Sequence, residues 1–246
     1  MSQEVRNLEP KELWNKFADL NAVPRPSKKE ERVIAFMMEF GKKLGFETIN
    51  DEVGNVIIKK PATAGMENRK TIVMQSHLDM VHQKNNDTNF DFDTQGIEMF
   101  VDNGWVRAKG TTLGADNGLG VATIMAILES TTIAHPAIEA LFTIDEETGM
   151  TGAMGLKGGL LQGEILLNLD TEEEDEIDIG CAGGVDVTAV AEYDEEETPA
   201  DSVGYTITVK GLNGGHSGMD IDKGLGNANK IMNRLLFNGF EDFGLQ

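Results

Sequence analysis

Three short apolar stretches of this chain each run into a titratable side chain. Thr71–Met74 leads into Gln75-Ser76-His77-Leu78-Asp79, Ile138–Ile144 into Asp145-Glu146-Glu147, and Ile165–Leu169 into Asp170. Short apolar runs with polar flanks read as buried strands. In an open α/β sheet, ligands bind in the crevice beyond the carboxyl ends of parallel strands. If the three runs are neighbours, one imidazole and several carboxylates converge on one spot, with the chemistry to hold a divalent metal.

Helical spacing surrounds these runs. Pro10–Leu20 reads as a short helix, which Pro24-Arg25-Pro26 interrupts, because proline and the residue before it resist helix. Ser27-Lys28-Lys29-Glu30 has the form of a capping box. Val33, Met37, Phe40 and Leu44 follow on one helical face, with Gly45 as the stop. Phe46–Ile49 and Val53–Lys59 read as strands around a turn at Asp51–Asn55. Residues 61–70 form a polar loop, and residues 84–104 a longer one with room for a hairpin. Gly110-Thr111-Thr112-Leu113-Gly114-Ala115-Asp116-Asn117-Gly118 is a glycine-rich approach to a helix carrying Val121, Ile124, Ile127 and Leu128. Strand–helix alternation through Asp170 predicts the α/β class, with a mainly parallel sheet flanked by helices.

The texture changes after Gly184. Tyr193–Asp201 is acidic and contains Thr198-Pro199, Tyr205–Val209 alternates like a strand, and a helix is predicted near Asn227–Leu236. A domain boundary is therefore expected near residue 185, dividing residues 1–185 from 186–246. One strand and one helix cannot close a core, so the second part reads as the beginning of a domain and the chain as a fragment.

Charge and cysteine content narrow the function. The net charge is −21, from 21 basic and 42 acidic residues, which argues against nucleic acid and anionic membrane as partners. No apolar run approaches the ~20 residues of a membrane helix. The single cysteine, Cys181, excludes a disulfide within the chain and leaves histidine and carboxylates as metal ligands. A soluble protein of a reducing compartment, the cytoplasm, is expected.

Each candidate residue has a plainer reading. His77 and Asp79 are two apart, so in an extended segment they leave on one side; they fit a metal-bound imidazole oriented by a carboxylate or a surface pair. Asp116 fits an N-cap or a carboxylate bridging two cations, and the glycines before it permit close backbone approach. Glu146 and Glu147 point to opposite faces if the strand continues through them, one for metal and one for substrate, and Asp145 competes for either role. Asp170 precedes the acidic run Thr171–Glu176, which reads as a solvated loop. His82 and His135 have weaker claims. His216, in a glycine-rich loop, reads as an exposed histidine or as a substrate contact.

Ser76–Val81, Gly110–Gly118, Thr143–Ala153, Asn168-Leu169-Asp170 and Gly180-Cys181-Ala182-Gly183-Gly184 closely resemble the aminoacyl-histidine dipeptidases. These are cytosolic Xaa-His dipeptidases of the di-zinc carboxypeptidase and carnosinase superfamily. The resemblance runs along essentially the whole chain. It implies a metallopeptidase catalytic domain followed by the start of an α+β lid domain, through which the family dimerises. It implies two divalent ions, zinc first, with manganese or cobalt also fitting the donors. His77 and Asp170 would hold one ion, Glu147 the other, and Asp116 would bridge them through a cis Asp116–Asn117 bond. Asp79 would orient the site, Glu146 would serve as general base, and His216 would reach the substrate from the lid. The family is about twice as long as this chain and takes its last metal ligand from a late histidine, so the second-metal shell is expected to be incomplete here. The implied substrate is a small dipeptide; the alternatives are an N-acyl amino acid or no turnover at all, as a metal-binding fragment.

Overall fold

The computed structural model describes residues 3–171, 175–181, 183–185, 187–215, 218 and 220–244. The chain divides into two compact units, Met1–Ile179 and Gly180–Gln246.

The first unit is built on a five-stranded sheet, in the order β1 (Glu47–Asn50), β2 (Val56–Lys60), β6 (Ile138–Thr143), β3 (Ile72–His77), β7 (Ile165–Asn168). The three apolar runs are thus β3, β6 and β7, and they are neighbours. Ile72 pairs with Ile138 on one side and with Ile165 on the other, both in parallel register. β2 lies antiparallel to both β1 and β6, so four strands point one way and only β2 is reversed. The reversal follows from the tight turn at Asp51, whose Oδ1 accepts hydrogen bonds from the amides of Val53, Gly54 and Asn55 at 2.8–3.0 Å.

Alternation along the central strands sorts side chains onto two faces. Val56, Ile58, Met74, Ile138, Ala140 and Phe142 face a core completed by Val33 and Met37 of α3 (Glu31–Lys43) and by Val121, Ile124 and Leu128 of α4 (Ala115–Glu129). Ile57, Val73 and Leu141 face the opposite way, against Leu156, Leu160 and Leu161. Every residue of β6 is buried, as expected of a central strand covered on both faces. Each such apolar side chain is worth about 1.5–3 kcal/mol when fully buried, so the ends of β3 and β6 are firmly held; β7, read as a buried strand from its apolar run, is instead exposed along its whole length and is held by its pairing with β3. α1 (Gln3–Arg6) packs against α2 (Lys11–Asn21) and α2 against α4, while the short α5 (Thr151–Gly155) follows β6. A separate hairpin, β4 (Met99–Asp102) and β5 (Trp105–Ala108), turns at Asn103-Gly104, where both residues have positive φ, the conformation of a tight two-residue hairpin turn.

Two local expectations need correction. The capping box does not form. Ser27 Oγ donates instead to Asp79 Oδ2 at 2.8 Å, and Glu30 Oε1 accepts from the amides of Lys28 at 2.8 Å and Asp145 at 3.2 Å. Both side chains, just ahead of α3, reach the segments that follow β3 and β6, and Glu30 also accepts locally from Lys28.

The second unit contains a 3₁₀ turn at Ile221–Lys223 and α6 (Ala228–Phe243). Asn227 caps α6 by accepting from the Lys230 amide at 2.9 Å, and Gly244 closes it with φ 62°. Tyr205–Val209 carries no strand: alternation alone does not make one, and no partner strand pairs with it among the described residues. No helix among the described residues is long and apolar enough to cross a membrane.

Candidate metal centre

The carboxyl ends of β3, β6 and β7 and the start of α4 bring together an imidazole and five carboxylates. His77, the last residue of β3, is fully buried. Its Nδ1 lies 3.1 Å from the Asp79 carbonyl oxygen and 3.3 Å from Asp79 Oδ1. Its Nε2 faces the other way, 3.0 Å from Asp116 Oδ1 and 3.8 Å from both Glu146 Oε2 and Asp170 Oδ2. Two sets of side chains bring possible ligand atoms within 4.8 Å of one another, His77–Asp116–Asp170 and His77–Glu146–Glu147.

Each carboxylate arrives for a local reason. Asp116 and Asn117 interrupt the first turn of α4 with non-helical angles, and the bond between them is cis, as the resemblance implied. Asn117 Nδ2 then donates to Leu169 O at 2.9 Å and to Asp170 Oδ1 at 2.8 Å, which aims Asp170 at His77.

Glu146 and Glu147 do not continue the alternation of β6, so the condition for placing them on opposite faces is not met. The strand ends at Thr143, and Asp145 takes φ 53°. The buried Asp145 carboxylate accepts from Thr148 Oγ1 and Thr151 Oγ1. Asp145 is therefore spent on shaping a turn. That turn presents the amides of both glutamates to Asp79, Glu146 N to Oδ1 at 3.1 Å and Glu147 N to Oδ2 at 3.2 Å. Both side chains consequently approach the same imidazole.

Asp79 is the buried hub. Burial alone would raise its pKa, but hydrogen bonds from His77, Ser27 and the Glu146 amide, together with the charge of His77, hold it at about 2. Burial also works against a charged His77. The Asp116 and Asp79 carboxylates outweigh it and lift the imidazole to about 10. Glu146, Glu147 and Asp170 are all shifted upward, first by burial and then by neighbouring negative charge. Crowded carboxylates of this kind repel one another, and a divalent cation relieves the repulsion. The donors, one imidazole nitrogen and several carboxylate oxygens, suit zinc, manganese or cobalt. The residues present therefore fit a metal.

Ser27 was hidden by its resemblance to a helix cap, and its link to Asp79 leaves no mark in local spacing. Ser27→Ala removes one of the donors to a buried carboxylate. Such bonds contribute about 1.5–3 kcal/mol, so the urea midpoint of the first unit should fall by the corresponding amount.

The remaining histidines stand apart. His135 is buried in a loop, its amide donating to Thr63 Oγ1 and its Nδ1 2.7 Å from Pro136 O. His82 is exposed and packs its ring edge-on to Phe92. His216 lies outside the described residues.

An α/β sheet whose parallel strand ends gather an imidazole and carboxylates has the layout of a divalent-metal site. Residues 73–224 match peptidase family M20/M25/M40, and the chain belongs to that family. Over 243 residues it is 49% identical to the cytosol non-specific dipeptidase of Escherichia coli (strain K12), covering 99% of this chain and 50% of the relative. The aminoacylhistidine dipeptidase of Vibrio alginolyticus is similar in structure, with a TM-score of 0.73 and 46% identity over 98% of this chain and 49% of that one. The aminopeptidase PepT of Bacillus cereus follows at a TM-score of 0.57 and 27% identity, over 66% and 44%. The chain spans about half the length of the curated relatives it matches.

Proposed function

We propose that this chain carries the metal-binding and proton-transfer groups of a dipeptidase. The observation that supports this reading best is the convergence of Asp116, Glu146 and Asp170 within 3.8 Å of one buried imidazole nitrogen. On this reading His77 and Asp170 would hold one divalent ion and Glu147 a second, with the Asp116 carboxylate available to both. Bound there, the ions would polarise the peptide carbonyl and lower the pKa of a water to about 7. Glu146 would supply the carboxylate that takes up a proton and later delivers it to the departing amine. Asp79 fixes the imidazole so that Nε2 faces Asp116, Glu146 and Asp170, and it anchors the turn carrying Glu146 and Glu147.

The substrates are dipeptides, Xaa-His among them; the names borne by two relatives that match nearly the whole of this chain favour this class. Rates for Xaa-His dipeptides, other dipeptides and N-acyl amino acids, compared on the full-length protein, test it. Preference for the acylated compounds would replace the dipeptidase reading with an amidohydrolase one.

Metal uptake has a pH signature. His77, raised to about 10, is protonated at neutral pH in the metal-free site and must be neutral to ligate. Binding therefore displaces its proton, and affinity should rise by about tenfold per pH unit up to the region of that pKa. Calorimetric Zn²⁺ titrations in buffers of different ionisation enthalpy should register at least one proton released at pH 7. Heats that do not depend on the buffer would remove His77 from the ligand set.

A further inference from the structure

We propose that Arg25 is a positioning residue of the metal centre: its single guanidinium sets the spacing between His77 and Asp116 by gripping the backbone that carries each. The inference rests on the metal-binding reading above and extends it to a residue outside the cluster.

Arg25 is only 1% exposed and ranks among the largest fully buried side chains. Its Nη1 donates to the carbonyls of Leu78 and Asp79, both at 3.1 Å. Its Nη2 donates to Gly114 O at 2.6 Å and to Asn21 Oδ1 at 3.0 Å. A buried guanidinium is expected to face a carboxylate directly, yet here the fork goes to three carbonyls and an amide. Burial pushes its pKa down, but the charges of Asp79, Asp116 and Glu147 keep it at about 10, so the group is a cation at neutral pH.

The two arms of the fork end on opposite sides of the site. The Asp79 carbonyl that accepts from Nη1 is the same oxygen that lies 3.1 Å from His77 Nδ1. Fixing that oxygen fixes where Nδ1 points, and hence where Nε2 points. The Gly114 carbonyl belongs to the N-cap of α4, just ahead of Asp116. One rigid planar group therefore ties the exit of β3 to the entry of α4, whose side-chain tips meet at 3.0 Å.

The glycines of the Gly110–Gly118 segment support this reading. A Cβ at Gly114 would lie 2.5 Å from Arg25 Nη2, and one at Gly118 would lie 2.7 Å from it. At these two positions, the close approach expected for an ion is used by the guanidinium. An ammonium cannot replace it, because lysine offers its donors from one point and has no fork.

Competition between this chain and a chromophoric chelator for Zn²⁺ gives the parent affinity, and Co²⁺ in place of Zn²⁺ gives a visible spectrum sensitive to ligand geometry. Arg25→Lys should weaken Zn²⁺ binding by about tenfold or more, the range of changes to groups that orient ligands, and should alter the Co²⁺ bands. Lys60→Met is the control. Lys60 Nζ bonds Ile127 O at 3.0 Å and Ser130 O at 2.6 Å at the far end of α4, so its loss should lower stability and leave metal affinity and the Co²⁺ spectrum unchanged. Should Arg25→Lys fail to fold, Gly118→Ala presses a methyl group on Nη2 without removing the charge, and it should weaken Zn²⁺ binding in the same direction. Parent-like affinity in whichever of the two variants folds, or an equal loss in Lys60→Met, overturns the proposal. A parent that takes up no Zn²⁺ overturns the metal-centre reading itself, whereas a normal parent with indifferent variants removes only the role of Arg25.

Discussion

Glu146→Gln is expected to slow dipeptide hydrolysis by the full-length protein by about 10²–10⁴-fold, the usual worth of a positioned general base, and to leave bound metal in place. Glutamine keeps the size and polarity of the side chain but cannot accept a proton. Glu146 is suited to this task by its surroundings. Its side chain is partly exposed at the mouth of the cluster, with Oε2 3.8 Å from His77 Nε2. Burial raises its pKa, and the charges of Asp170, Asp116 and Asp79 raise it further against the opposing pull of His77. A carboxyl group raised in this way holds a proton more readily between its removal from water and its delivery to the amine. Steady-state kinetics with elemental analysis of the same preparation check the two halves of the expectation. Hydrolysis at the parental rate would show that Glu146 is not the base; loss of metal with the activity would make it a ligand instead.

Glu147 is the natural competitor, because it is raised by the same two causes and its amide is held by the same aspartate. Periodicity places the two glutamates on opposite faces only if the strand continues through them, and β6 ends at Thr143. The residue that decides their direction is Asp145, whose φ of 53° turns the chain out of the strand. Nothing in an Asp-Glu-Glu triplet announces a left-handed first residue. The cause is Thr148 and Thr151 folding back on the Asp145 carboxylate, together with Glu30 reaching its amide from another helix.

The general pattern follows from which interactions are local. β3 and β6 were legible because burial of an apolar run is written into the run itself; β7 has the same apolar run yet is exposed, and its parallel pairing with β3 is what places the three ends together. Asp116 was legible as a helix-start residue for the same reason. The side chains that organise the site were not. Ser27 and Glu30 have the spacing of a cap, and the sequence offers only the neighbouring amides as partners, while the folded chain offers Asp79 and Asp145. Arg25, between two prolines, reads as an interruption. It becomes a fully buried cation only because carbonyls from Leu78, Asp79 and Gly114 converge on it. Tyr205–Val209 fails in the opposite sense: its alternation is local, but a strand requires a partner. Long-range hydrogen bonding, rather than hydrophobic pattern, is what sequence periodicity leaves out.

Asp116→Ala is expected to empty both proposed metal positions and to leave the fold standing. The carboxylate is the one proposed to serve both ions, and its Oδ1 is the oxygen nearest to His77 Nε2, at 3.0 Å. Its removal takes a negative donor from each ion at once. The affinity loss should therefore exceed the 10–100-fold that follows from disturbing groups behind the ligands. The metal-free variant should melt somewhat below the metal-free parent, because Asp116 is the foremost of the carboxylates that hold the buried His77 imidazolium charged, but the fold should persist. The Asp116 side chain is 57% exposed, and the buried face of α4, formed by Val121, Ile124 and Leu128, is untouched. Burial of that face, rather than the first turn, supplies most of the helix's stability. The measurement is elemental analysis after dialysis against metal-free buffer, paired with a thermal melt of the metal-free parent and variant. Two ions retained would remove Asp116 from the ligand set. One ion retained would make it a terminal ligand, and the two ions would then need a different bridge.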